Sequence, residues 1–272
     1  MLLPTIKIGT ADVTRLIIGG NPFSGNSHVS AALDNEMMDY FTTKTIKKTI
    51  RDCMENGINT MQVRADRHML RIIRELKQEG CPIQWIAQTA SEIVPYETNV
   101  ASAKNYGPIA IYLHGTATDK MFKEKQYDEI KYKLQEIRES GCAVGLATHM
   151  PEVMAYAEEK NWDIDFYMAC VYNLSKEDRI SSAITGKANE GERFDDGDKP
   201  LMYAAIKSTE KPCLAFKILA STRKCESPET VEEAFKEGYA NIKPTDGIIV
   251  GMFPKMTNQV ADNCGIVRGI LG

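Results

Sequence analysis

Short apolar or β-branched runs alternate along the chain with segments whose apolar residues recur at helical spacing. The interval is roughly 30 residues, the rhythm of successive βα units in a parallel sheet. Eight such runs occur, at residues 16–18, 60–63, 83–87, 109–113, 143–147, 166–171, 214–219 and 247–250. Between them, residues 128–139 carry Ile130, Leu134 and Ile137 on one helical face, and residues 230–239 follow the start signal Ser227-Pro228-Glu229. Gly57, Gly107 and Gly141 stand just before predicted strands, where a chain leaves a helix through a left-handed residue. Right-handed crossovers repeated in this way can close into a barrel. An open doubly wound sheet would more often show a glycine-rich phosphate turn, and neither GxGxxG nor GxxxxGK occurs. The expected fold is therefore α/β, a (β/α)8 TIM barrel forming one domain over residues 1–272. Residues 5–8 and 12–16, flanking Gly9-Thr10, read as a short N-terminal β-hairpin that plugs the barrel floor. The polar stretch 181–198, rich in Gly and Asp and without periodicity, reads as a long loop after the sixth strand or a mobile lid.

Composition narrows the function classes. The 272 residues match the roughly 250 that a (β/α)8 barrel needs, and 43% hydrophobic with 26% charged residues is the balance of a soluble globular chain. A net charge of -4, with no Lys/Arg block interleaved with aromatics, argues against nucleic acid as a partner. The N-terminus lacks the pattern of a signal peptide, and no run of about 18 apolar residues could span a bilayer, so a soluble cytoplasmic protein is expected. Seven scattered cysteines with no CxxC pair point to neither a disulfide framework nor a zinc knuckle. Of these only Cys170, near a predicted strand end, is a candidate for chemistry.

In barrel enzymes the catalytic groups come from the C-terminal ends of the strands. This chain places Asn21, Gln62, Arg64, Asp66, Gln88, His114, His149 and Lys217 at or near those ends, and all four histidines (His28, His68, His114, His149) fall on that side. Arg64 and Lys217 interrupt apolar runs, where a long cation should be paired or catalytic. Gln62 and Gln88 either fill the top layer of the barrel or orient substrate hydroxyls. Tyr172-Asn173 reads as a cap on the loop after the sixth strand, and Trp85 and Trp162 as core.

Four stretches carry a family resemblance. LPTIKIGTADVTRLIIGGNPF resembles the opening of bacterial aldo-keto reductases, DFYMACVYNL their sixth strand and CLAFKILAS their seventh, while IIVGMFPKMTNQVADN is similar to the eighth strand and the helix at the cofactor's adenine end. The resemblance implies carbonyl reduction by hydride transfer from NAD(P)H, with an Asp, a Tyr, a Lys and a His as the catalytic set. Here the Asp position falls on Gln62, the Tyr position on Asp66-Arg67-His68 and the Lys position on Gln88; only His114 matches. The nicotinamide amide contacts fall on Ala147, Thr148 and Ala169. Phe216 matches the aromatic that stacks on the nicotinamide, and Lys255, Gln259 and Asn263 lie on the phosphate and adenine side. A pyrophosphate would meet free backbone N–H groups at the helix start after Pro254.

Three functions stay open. One is an NAD(P)-linked reductase of a small carbonyl or sugar, with its catalytic set rebuilt around His114. Another is a lyase, isomerase or epimerase of a sugar-like anion, using Lys217 as base or Schiff-base amine, or a divalent metal gathered by His28, His114 and His149; no HxH or HExxH spacing enforces a metal. The third is a non-catalytic small-molecule binder. The polar strand ends favour an enzyme with a small-molecule substrate, and the resemblance favours the reductase; oligomeric state is not readable.

Overall fold

The computed structural model describes residues 1–179 and 192–272. Strands β1 (Thr5–Ile8) and β2 (Ala11–Thr14) pair antiparallel as the expected hairpin, its second strand shorter than residues 12–16 because Leu16 already opens the barrel. The barrel strands are β3 (Leu16–Gly19), β4 (Thr60–Arg64), β5 (Gln84–Gln88), β6 (Ala110–Leu113), β7 (Ala143–Thr148), β8 (Phe166–Cys170), β9 (Cys213–Phe216) and β10 (Gly247–Gly251). They run parallel in chain order and close where β10 pairs with β3, Ile248 opposite Leu16 and Val250 opposite Ile18. The fold is thus a (β/α)8 barrel with a separate two-stranded sheet before it.

The expected helix over 128–139 is α6 (Tyr127–Glu139), with Ile130, Leu134 and Ile137 buried. That over 230–239 is α9 (Pro228–Asn241), which Ser227 and Thr230 cap reciprocally. Gly57, Gly107 and Gly141 all have positive φ, as a left-handed helix exit requires. The largest departure lies at residues 214–219, where the strand stops at Phe216. Lys217 turns to φ 66°, and Ala220, Ser221 and Thr222 are left-handed as well, so the chain coils into turns across the barrel mouth. Of the polar stretch 181–198, residues 181–191 lie outside the described residues. From Asp196 to Asp198 a short 3-10 turn leads into α8 (Lys199–Ser208).

Two apolar layers share the strands. Outside the barrel, side chains such as Met61, Val63, Trp85, Ile111 and Leu146 pack under the helices, and Trp162 is buried there too. Inside, Ile17, Ile86, Tyr112, Phe166, Met168, Leu214 and Ile249 fill the barrel, and Ile6, Ile8 and Val13 of the hairpin close its floor. A packed interior leaves function to the open C-terminal mouth. Among the described residues no helix is long and apolar enough to cross a membrane.

Gly145, in the middle of β7, makes room for two interior rings: a Cβ there would stand closer than 3.0 Å to the Phe166 ring and to Cβ of Tyr112. Gly145→Ala is expected to lower stability by about 1–3 kcal/mol through overpacking, read as a lower urea midpoint. An unchanged midpoint would mean that these rings are not fixed as described.

Candidate active site

The C-terminal mouth opens into a cavity of about 1290 Å³ lined by Gln62, Arg64, Gln88, His114, His149 and Lys217. Strand ends bring these six together from five strands. Asn21 and His28, on the loop after β3, line it as well. Two expected members stay outside. Asp66 is the N-cap of α3 (Arg67–Gln78) and accepts from the Met69 backbone N–H at 2.9 Å, while His68 on the same helix is exposed.

A buried hydrogen-bond network surrounds Asp119, a residue that strand-end reasoning passes over. It sits on α5 (Gly115–Lys123), on the face that also buries Gly115, Thr118 and Met121. Its carboxylate is 2% exposed and accepts from Thr148 Oγ1 at 2.5 Å, Ser175 Oγ at 2.5 Å and His149 Nδ1 at 2.7 Å. The His149 backbone N–H points at the same group, 3.2 Å from Oδ2. A carboxylate has no proton of its own to give, so it accepts at His149. The imidazole therefore carries its proton on Nδ1 and turns Nε2, without a partner among the described residues, toward the cavity.

Opposite lies a second cluster that the sequence showed only in part. His28, at φ 59°, contacts Glu192 Oε2 through Nδ1 at 2.9 Å and Asn21 Nδ2 through Nε2 at 3.2 Å. Lys217 Nζ lies 3.5 Å from His28 Nδ1. Arg223 ties the cluster from behind by donating to the His28 and Glu192 carbonyls. The Glu192 side chain is shielded from solvent, and its Oε1 has no hydrogen-bond partner among the described residues. Burial lowers the pKa of His28, with Lys217 adding to the effect, and burial lowers that of Lys217 too.

A neutral network occupies the centre. Gln62 Nε2 donates to the Tyr112 hydroxyl at 2.7 Å, and that hydroxyl donates to Gln88 Oε1 at 2.8 Å. Burial drives the Tyr112 pKa far upward, so this phenol keeps its proton. Arg64, at the end of β4, pairs with Glu92 and stands 3.9 Å from Asp66. His114 caps α5, its backbone N–H donating to Thr89 Oγ1 at 3.1 Å. Burial first, then the positive charge of Arg64, holds the His114 imidazole down at about 4, so it is neutral across the physiological range.

No protein-family model matches the chain, and no curated protein matches it in sequence. Solved structures do match in fold. An aldo-keto reductase from Bacillus halodurans superposes with a TM-score of 0.62 at 12% identity, over 98% of this chain and 91% of that one. The glycerol dehydrogenase of Gluconobacter oxydans gives 0.58 at 12% identity, over 100% and 91%. A truncated 3-deoxy-D-arabino-heptulosonate 7-phosphate synthase from Thermotoga maritima gives 0.57 at 12% identity, over 98% and 91%. Identities this low speak for the barrel alone, and barrels of this shape host unrelated reactions.

The site itself tests the fit of a nicotinamide. Of the positions that would hold its amide, Ala147 and Ala169 are apolar, and the Thr148 hydroxyl is committed to Asp119. The aromatic on which the ring would stack, Phe216, meets the His149 imidazole edge to face, with centroids 5.9 Å apart. Farther out the cavity does run on past Phe216 to Gln259 and Asn263 on α10 (Gln259–Leu271). There Gln259 Oε1 accepts from the Phe253 N–H, and Lys255 turns outward to pair with Glu36 at 2.8 Å. The groove could take an extended ligand, but its inner end does not offer what a nicotinamide needs. As for a metal, no three His, Cys, Asp or Glu side chains among the described residues stand close enough to share an ion, so His28, His114 and His149 are not a preformed ligand set.

The remaining candidates have structural work. The Tyr172 hydroxyl donates to Asp196, the Asn173 N–H to Asp198, and Asn173 Oδ1 accepts from the Ser175 N–H; together they pin the loop after β8 and hold Ser175 against Asp119. Cys170 is buried, which pushes its thiol up to about 12 and leaves it unreactive.

The neutral histidines fix a pH dependence. An imidazole whose pKa is lowered on folding takes up its proton more readily in the unfolded chain, so its effect is absent above 6.5 and destabilises as pH falls toward 4. Wild-type stability should therefore decline over that window, and His114→Asn should flatten part of the decline. Urea midpoints at several pH values read this; identical slopes for the two proteins would show that His114 is not held neutral.

Proposed function

We propose that the chain is a proton-transfer enzyme of the lyase, isomerase or epimerase class, acting on a small anionic hydroxy-carbonyl compound. The observation that carries this reading is the His149–Asp119 pair. A carboxylate held by three side-chain donors fixes one tautomer of the imidazole and leaves Nε2 as a base facing the cavity. Arg64, Lys217 and His114, whose imidazole is neutral, line the same cavity.

These groups divide the work of enolisation. Nε2 of His149 removes the proton next to the substrate carbonyl, and Asp119 stabilises the imidazolium that results. Negative charge then grows on the carbonyl oxygen, where a neutral imidazole such as His114 donates a hydrogen bond and Arg64 supplies positive charge. Gln62, Gln88 and the Tyr112 hydroxyl offer fixed polar contacts to substrate hydroxyls without titrating. Return of the proton from His149 to the neighbouring carbon, as that carbon's hydroxyl proton passes to the former carbonyl oxygen, completes an isomerisation; return to the same carbon after the enolate has turned its other face to His149 completes an epimerisation; departure of a β-substituent completes an elimination.

A reductase remains the second reading, because the cavity continues past Phe216 to Gln259 and Asn263 in the direction a dinucleotide would take. It predicts tight NADPH binding. The proton-transfer reading predicts binding in the micromolar range or poorer, since the amide contacts are missing; fluorescence titration separates them.

The direct test is hydrogen exchange. In D2O, wild-type protein should wash out the proton next to the carbonyl of at least one member of a panel of hydroxy-keto acids and sugar phosphates, followed by proton NMR. His149→Ala and Asp119→Asn should each slow this by about 10²-fold or more, with rates compared per folded molecule because both changes disturb the buried carboxylate. Exchange that survives His149→Ala, or no exchange with any member of the panel, overturns the reading.

A further inference from the structure

We propose that Lys217 acts as a covalent amine, forming an imine with the carbonyl carbon of the substrate. This deepens the proton-transfer reading above and rests on it for the identity of the substrate class.

The hydrogen-bond pattern around His28 is the starting point. The Asn21 amide donates to Nε2 at 3.2 Å, which requires a lone pair there, so in the neutral ring the proton sits on Nδ1 and donates to Glu192 Oε2 at 2.9 Å. An ammonium on Lys217 would then face an N–H at 3.5 Å with no lone pair to accept from it. Among the described residues no carboxylate oxygen lies within 4.0 Å of Nζ. A neutral amine suits the place better, since its own lone pair can face Nδ1–H. The Phe194 ring, its centroid 5.3 Å from Nζ, would attract a cation but replaces neither a lone pair nor a carboxylate. Burial shifts the Lys217 pKa in the direction that favours the uncharged amine.

Two further features suit covalent work. Lys217 leaves the end of β9 with φ 66°, a conformation that a non-glycine residue adopts at a cost, and such strain gathers at functional sites. Phe216 and Lys217, consecutive in sequence, both line the cavity because that turn breaks the strand's alternation. The second feature is Glu192. Its Oε1 is shielded and, among the described residues, without a partner, an arrangement that gains little while the nearby lysine is neutral. Once Nζ carries the fixed positive charge of a protonated imine, the charge of Glu192 acts on it favourably from beyond 4.0 Å.

The step balances without any further reactant. The Nζ lone pair forms the C–N bond as the carbonyl π pair moves to oxygen, and one Nζ proton passes to that oxygen. The C–O bond then breaks as a second proton arrives from solvent, water departs, and a protonated imine remains. This iminium withdraws electrons from the adjacent C–H bond, toward which His149 would act as base.

Reductive trapping tests the proposal on the full chain. Pyruvate and pyridoxal 5′-phosphate, two carbonyl compounds bearing an anionic group, are each incubated with the protein and sodium cyanoborohydride. The product is weighed intact and mapped by peptide mass spectrometry. The expected result is one adduct, heavier by the mass of the probe less one oxygen, located on Lys217. Lys217→Met should lower the yield by at least about tenfold, and the exposed control Lys131→Met should leave it unchanged. Attachment spread over surface lysines, or none at Lys217, overturns the proposal; because the site is read in wild-type protein, this outcome does not depend on how a variant folds. Failure of the two readings can be told apart. An adduct on Lys217 without His149-dependent exchange removes the base and leaves the amine, whereas exchange without an adduct removes the amine and leaves the base.

Discussion

Closure of the barrel, where β10 pairs in parallel with β3, is the constraint from which the site follows. A closed sheet has no free edge, and its interior is filled by Ile17, Ile86, Phe166, Leu214 and Ile249, with the hairpin residues Ile6, Ile8 and Val13 beneath. Most of the polar side chains that point inward gather toward the C-terminal ends of the strands, above this plug. Every strand delivers its final residues to the same rim. Side chains as distant in sequence as Asn21, His114 and Lys217 therefore share one cavity. An open sheet with the same sequence order would spread them along an edge.

The second organising interaction is local. Asp119 lies a turn and a half beyond the end of β6, yet its carboxylate reaches under the rim to collect Thr148, His149 and Ser175 from the loops after β7 and β8. A buried carboxylate with three side-chain donors is costly to disturb, so it fixes the relative positions of three neighbouring βα loops. Gly115 keeps the approach open: a Cβ there would stand 3.3 Å from Cε1 of His149. The same interaction that orders the rim selects the tautomer of the base, so that structural and chemical roles of Asp119 coincide.

Periodicity made the fold legible, because eight apolar runs at even spacing leave few architectures open, and even the capping signal at Ser227 was readable. Strand ends erred by one to three residues, most at β9, where the apolar run continues through Ile218 and Leu219 although the backbone has turned left-handed. The cavity-lining residues Gln62, Arg64, Gln88, His114, His149 and Lys217 were visible as polar interruptions of those runs. Tyr112 could have been found by the same logic, since it precedes His114 by two residues and a strand's period of two puts both on one side. Asp119 interrupts the apolar face of a helix, a weaker mark that many solvated helices share. Glu192 carried none, because its place depends on contacts with His28 and Arg223, more than 25 residues away along the chain. Lys255 shows the converse: its position in the sequence matched a phosphate contact, but its ammonium turns outward to Glu36.

Neutrality at the centre of the mouth constrains which chemistry this barrel can carry. Where the resemblance would place an aspartate and a lysine, Gln62 and Gln88 cannot change charge, and the phenol they share is buried between amides. A tyrosine acts as a proton donor near neutral pH only if a nearby cation lowers its pKa. Of the charged groups around Tyr112 only Arg64 acts in that direction, and burial outweighs it. The capacity to move protons therefore lies to the sides, in the imidazoles after β6 and β7 and the amine after β9, around a centre that can orient hydroxyl groups but not ionise. A hydride acceptor needs one proton delivered to one oxygen, and the central phenol is not set to supply it. An enolisable substrate needs a base beside a carbon and a polarising group beside an oxygen, and that division matches His149 on one side of the cavity with His114, Arg64 and Lys217 around it.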